Sequence, residues 1–148
     1  MIVTLLSSLL THLPLSPLEQ AIWEVESSSH PGGVPYFGDS GKAAGPFQIH
    51  KNYWIDSRIG GTYPDDLFDL ETSVKCFRGF MDRYAIPSRI PEGCTMSLDE
   101  VKARMHNGGP QALKATGKKK QNLDQFWDRV QKAKERNRLC TKKLPKSS

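Results

Sequence analysis

Apolar residues in this chain fall into helical stripes broken by one glycine-rich interval. In "SPLEQAIWEVESS", Leu18, Ile22 and Val25 recur at helical spacing with Ala21 beside them. Ser16 stands as N-cap, Pro17 takes the first helical position, and Glu19 completes a capping box. The spacing predicts a helix opening at Ser16. From Asp69 onward, Leu70, Val74, Phe77, Met81 and Tyr84 mark one apolar face of a helix long enough to be central, and Pro87 and Pro91 end it. Ser97 and Glu100 open "SLDEVKARMH" as a further capping box, and Asn107 with Gly108 forms a C-cap signal. Asn122 and Gln125 make a polar variant of the box before "NLDQFWDRVQKAKERNRL", where Leu123, Phe126, Trp127 and Val130 form the stripe.

Residues 30–47 break this rhythm. They hold five glycines and the alternation "VPYFGD", which predicts a loop or short hairpin. "PFQIHKNYW" then predicts a short helix, and "GGTYPDD" a turn-rich connection. The sum is four helices around a core, with a hairpin region inserted after the first.

At 148 residues the chain has room for one domain with its own core. Its boundaries read as a possible weak signal peptide or N-terminal extension over 1–15, a folded domain over 16–138, and a basic tail over 139–148. The opening "MIVTLLSSLLTHLPLS" is apolar but lacks a basic residue before the run, and His12 and Pro14 interrupt it. Export is the expectation, with an N-terminal helix capping the core as the alternative. No apolar run is long enough to span a membrane.

The formal charge of +5 is unevenly spread. Residues 1–113 carry nine basic and thirteen acidic side chains, whereas residues 114–148 carry twelve and three. A basic end of this kind suits an anionic surface such as a bacterial wall, and reads equally as a solvated tail. Specific nucleic-acid recognition is not expected, because no aromatic ladder runs through the lysines and no zinc spacing is present. Cys76, Cys94 and Cys140 are too few for a disulfide framework; the first two could bridge and leave Cys140 odd. Neither metal nor cofactor is expected.

Two carboxylates frame the chemistry. Glu26 lies on the helical wheel between Ile22 and Trp23, at the edge of the buried stripe. An apolar surround favours a neutral carboxyl, as a proton donor requires. Asp39, in "FGDSGKAAG", sits where glycines and Ser40 leave a carboxylate hydrated or hydrogen-bonded. One protonated and one ionised carboxyl facing across a cleft is the arrangement of a glycosidase. The alternatives are a solvated helix-end charge and an ordinary turn former. Tyr36, Phe37, Tyr53 and Trp54 supply flat aromatic faces that suit sugars and equally suit a core, and Gln48 and Asn107 could bond acetamido groups. In "HNGGP" a C-cap accounts for Gly108, Gly109 and Pro110 but not for His106.

Taken together, "VESSS", "GDSGKAAGPFQIHKNYWID", "CFRGFMDRYA", "ARMHNGGP" and "FWDRVQ" resemble, in order, the invertebrate-type lysozyme or destabilase family. The resemblance implies an α+β, lysozyme-like fold, mostly helical with a small β-hairpin region beside the active-site cleft. It implies hydrolysis of the β-1,4 bond between N-acetylmuramic acid and N-acetylglucosamine in peptidoglycan, with chitooligosaccharide as a related ligand. Glu26 takes the acid's place and Asp39 the second carboxylate's. It implies saccharide contacts around His50 to Asp56, with Tyr53 and Trp54 among them, at Tyr84, and at His106, Asn107 and Gly108; Tyr36 and Gln48 join these as candidates by residue type. Carboxyl groups roughly 5 to 5.5 Å apart imply retention of configuration, and a gap of about 6.5 to 9.5 Å implies inversion. The family's many disulfides have no counterpart in three cysteines, so stability is expected to rest on the core and the helix caps. Two rival readings are an isopeptidase of the destabilase type, for which "SGKAA" is short of serines, and a non-catalytic cationic wall-binding protein.

Overall fold

A computed structural model describes residues 13–142. The possible signal segment falls largely outside them, and so does the end of the basic tail. Five α-helices and one small sheet follow in the order α1 (Pro17–Ser27), β1 (Phe37–Gly38), β2 (Ala43–Ala44), β3 (Ile49–His50), α2 (Lys51–Ser57), α3 (Leu70–Tyr84), α4 (Leu98–Gly108) and α5 (Gly117–Lys142). The fold is mostly helical, with the three strands antiparallel in chain order. Phe37 pairs with Ala44, and Ala43 with His50.

Helix α1 starts as its sequence dictates. Ser16 Oγ accepts from the Glu19 N–H at 3.2 Å, and the Ser16 N–H donates to Glu19 Oε2 at 2.8 Å, closing the capping box. Glu19 is buried because Arg78 of α3 reaches it twice, Nε to Oε1 at 2.7 Å and Nη2 to Oε2 at 2.8 Å. That pair fixes α1 against α3. Asp69 caps α3 by accepting from the Thr72 N–H, and the apolar face of the helix buries Val74, Phe77, Phe80, Met81 and Tyr84. Phe47, Ile22, Met105, Leu123 and Phe126 fill the space around it. Burying such side chains contributes on the order of 1.5–3 kcal/mol each relative to exposure.

Three boundaries and one cap differ from the sequence expectation. The helix read from "PFQIHKNYW" begins only at Lys51, because Gln48 takes a left-handed backbone (φ 49°) and Ile49–His50 joins the sheet. Ser97 does cap α4, but the box is half made: Glu100 turns its carboxylate to Arg104 instead of back to the cap. Helix α4 runs through Gly108, and Gly109 (φ 81°) stands at its C-cap. Helix α5 starts at Gly117, so Asn122 is interior. Leu123, Phe126, Val130 and Ala133 carry the helix against α1 and α4, overriding the local cap signal.

No disulfide forms among the described residues. Cys76 is buried on α3, Cys94 is half-buried and Cys140 is exposed, and all three are free thiols, which corrects the Cys76–Cys94 bridge left open by spacing. No described helix is long and apolar enough to cross a membrane.

Candidate active site

Glu26 sits one residue before the end of α1, and three elements converge on it. Its Oε1 lies 3.1 Å from Nε2 of His106 on α4, and the other ring nitrogen, Nδ1, lies 3.1 Å from the hydroxyl of Tyr53 on α2. The His106 side chain is 2 % exposed and that of Glu26 18 %, so one carboxyl oxygen is engaged inward while the group still reaches solvent. Rings of Phe47, Phe77, Tyr53 and Phe126 surround the imidazole with centroids 5.4 to 6.3 Å away. Tyr53 stacks on Phe80 at 3.7 Å with planes 8° apart, which fixes its hydroxyl. Burial first, with the Cys76 thiol and the Glu26 carboxyl group nearby, pushes the Tyr53 phenol well above the usual tyrosine value. It stays protonated at any working pH.

The chain after α1 ties the acid to the sheet. Ser27 Oγ donates to the Pro46 carbonyl at 2.8 Å, and Ser28 and Ser29 both adopt left-handed backbones that turn the chain away from the helix axis. The Trp23 indole N–H donates to the His30 carbonyl and holds the returning strand.

Asp39 lies in a tight turn between β1 and β2, where it and Ser40 both have positive φ (47° and 55°). Two such non-glycine residues in succession cost backbone energy and need support from around them. Gln48 lies across Gly38, where a Cβ would overlap its amide oxygen, while its Nε2 donates to the Gly45 carbonyl at 2.8 Å. The Tyr63 hydroxyl reaches the carbonyls of Lys42 and Ile49 and holds β2 and β3 from the far side. The Asp39 carboxylate, 62 % exposed, has His50 Nε2 at 3.4 Å. It is a solvated carboxylate beside an imidazole.

The remaining sequence candidates divide. Tyr36 stacks on His30, and Trp54 donates from its indole to the Gly60 carbonyl; both are half-buried. Tyr84 is buried and donates to Asp56 Oδ2 at 2.9 Å, with the guanidinium groups of Arg83 and Arg89 over its ring. Burial, then the bond to Asp56, raises the Tyr84 phenol above the ordinary value. Asn107 is exposed next to His106, and Gly108 closes against Leu123 and Ala112. His106 and Tyr53, expected as sugar contacts, lie behind Glu26 instead, with 8 % and 9 % of their surfaces exposed.

Sequence pattern did not expose the supporting contacts of Ser27, Gly38 and Tyr63. The one available signal was His106 itself, a polar residue on an inward face that no cap explains. A groove of about 1090 Å³ opens elsewhere, between the starts of α1 and α4 and the later turns of α5. It is lined by Leu15, Leu98 and Trp127 among others, and includes neither Glu26 nor Asp39.

No family model matches the chain. Lysozyme 1 of Crassostrea virginica is 35 % identical over 113 residues, 76 % of this chain but 55 % of that protein. The Magallana gigas lysozyme is 33 % identical over 112 residues, 75 % of this chain and 74 % of the relative. A protein of Ruditapes philippinarum named invertebrate-type lysozyme is 35 % identical over 91 residues, covering 61 % and 60 %. The chain thus spans only about half the length of the Crassostrea protein. Among solved structures, the Tapes japonica lysozyme superposes with a TM-score of 0.63 at 29 % identity, covering 80 % of this chain and 89 % of that one.

Proposed function

The chain belongs to the invertebrate-type lysozyme family, and we propose that it is a muramidase: a glycosidase cleaving the β-1,4 bond from N-acetylmuramic acid to N-acetylglucosamine in peptidoglycan. The observation that carries this reading is the placement of Glu26, with one oxygen bonded inward to His106 and the group still open to solvent beside the sheet. Its carboxyl gives a proton to the glycosidic oxygen as the bond to the anomeric carbon breaks and the electron pair leaves with that oxygen. The Asp39 carboxylate, in its exposed turn, stabilises or attacks the oxocarbenium-like centre, and water completes the hydrolysis. Gln48, His50, Trp54 and Tyr36 are the sugar-facing candidates around that turn. Asn107 adds an exposed amide next to His106.

The basic charge on α5 favours adsorption to anionic walls, and the protein acts outside the cell as an antibacterial or digestive enzyme. Lysis should accordingly slow as salt rises, since exposed charges are screened over about 8 Å at physiological ionic strength. Glu26→Gln should abolish clearing of a Micrococcus-type wall suspension and leave the far-ultraviolet spectrum and melting temperature near wild type. Retained turnover would overturn the assignment. Killing of cells equally by wild type and variant would favour a cationic binding protein.

A further inference from the structure

Tyr53, His106 and Glu26 form a single hydrogen-bonded chain from the interior to the solvent-reaching carboxyl of Glu26, and its proton count has one balanced solution. Among the described residues the Tyr53 hydroxyl has no hydrogen-bond partner except His106 Nδ1, and Glu26 Oε2 has no protein partner. Phe47, Phe77 and Phe126 ring the imidazole and offer no acceptor, and the Cys76 thiol near the phenol makes no hydrogen bond to it among the described residues. If Nδ1 carried the ring proton, it would donate to the phenol oxygen, and the phenol hydrogen would then be buried without an acceptor. Such an orphan costs about 1–3 kcal/mol. If the phenol donates to a bare Nδ1, the ring proton sits on Nε2 and donates to Glu26 Oε1, and every hydrogen in the chain is satisfied.

We propose that Tyr53 is a positioning residue that fixes the His106 tautomer, so that Nε2–H occupies Glu26 Oε1 and the transferable proton is confined to Oε2, the oxygen with no protein partner among the described residues. The inference rests on Glu26 being the proton donor. In the reaction, the proton leaves Oε2 for the departing glycosidic oxygen, and the carboxylate that remains keeps the Nε2–H bond on Oε1. Without the phenol, the ring is free to carry its proton on Nδ1. Its Nε2 lone pair then faces Oε1 and draws the carboxyl proton inward, away from the sugar.

The test is Tyr53→Phe, which removes one oxygen and keeps the ring stacked on Phe80. Ring ¹⁵N spectra of wild type should show His106 protonated on Nε2 and bare on Nδ1. In the variant, population should move to the Nδ1-protonated form. Turnover of a chitooligosaccharide should fall roughly tenfold in kcat, part of the 10²–10⁴ that a positioned acid supplies, with KM within about twofold. Wild-type protein protonated on Nδ1 would overturn the proposal, whether or not the variant folds. So would a variant that folds and keeps the wild-type tautomer or the wild-type kcat. Retained activity in Glu26→Gln would instead sink the muramidase reading and leave the ¹⁵N result standing on its own.

Discussion

Arg78→Met removes one half of the buried pair that anchors α1. In the native protein the Glu19 carboxylate, with only 4 % of the residue exposed, receives two guanidinium N–H groups at 2.7 and 2.8 Å plus the Ser16 N–H. Burial works against its ionisation, but Arg78 and Ser16 together outweigh it and hold the carboxyl below the usual glutamate range. Methionine retains much of the stem volume and leaves the anion with Ser16 alone. Removing one partner of a buried pair costs about 3–5 kcal/mol, and because Arg78 is 39 % exposed, water can reach the vacated place, so about 3 kcal/mol is the expected loss at pH 7. For a domain of this size that is a fall of roughly 10 °C in Tm. The sign of the pH effect separates this cause from generic loosening. In wild type, the contribution of Glu19 is complete above the unfolded value of about 4.3 and vanishes as pH drops through the lower folded value. In the variant, burial dominates and the folded carboxyl moves up, so protonation relieves the defect as pH falls. The gap between the two proteins should therefore be widest near neutrality and narrow toward pH 4. Urea unfolding followed by tryptophan fluorescence at several pH values measures it. A deficit under about 1 kcal/mol at pH 7, or one that grows on acidification, would refute the reasoning.

Two further outcomes are expected. Gly45→Ala places a Cβ against the Leu67 carbonyl at a residue with φ 76°, and Gly45 also donates to the Tyr36 carbonyl. The loss should be about 2–4 kcal/mol in urea, and a loss well below 1 would show that the hairpin does not dock there as described. In thiol titration without reductant, three equivalents should react in urea. In native protein Cys140 should react at once and Cys76 not at all, since burial pushes its thiol up to about 11, and a single equivalent under denaturation would indicate a bridge.

Much of the helical frame was legible because its causes are local. The Ser16–Glu19 box and the stripe from Val74 to Tyr84 each need only neighbours within a turn or two, and both form. The start of α5 was not, since the apolar run from Leu123 to Ala133 draws the whole helix onto α1 and α4 whatever Asn122 prefers locally. Neither was the strand at Ile49–His50, which depends on Gln48 accepting an unfavourable backbone under the hold of Gly45 and Tyr63. Glu26 and Asp39 could be singled out by residue type and setting. The chain from Tyr53 through His106 to Glu26 joins three helices far apart in sequence, so no periodicity carries it. Tyr53 and His106 read in the sequence as saccharide contacts, and only the fold brings them behind Glu26.

A sheet whose strands are two residues long has no independent existence. Ser27 and Tyr63 hold it from outside and Gln48 ties it within, so the turn bearing Asp39 is a passenger on the helical body. Amide exchange in residues 37–50 should thus run ahead of exchange in α3, and warming should loosen this corner while the helices are still intact.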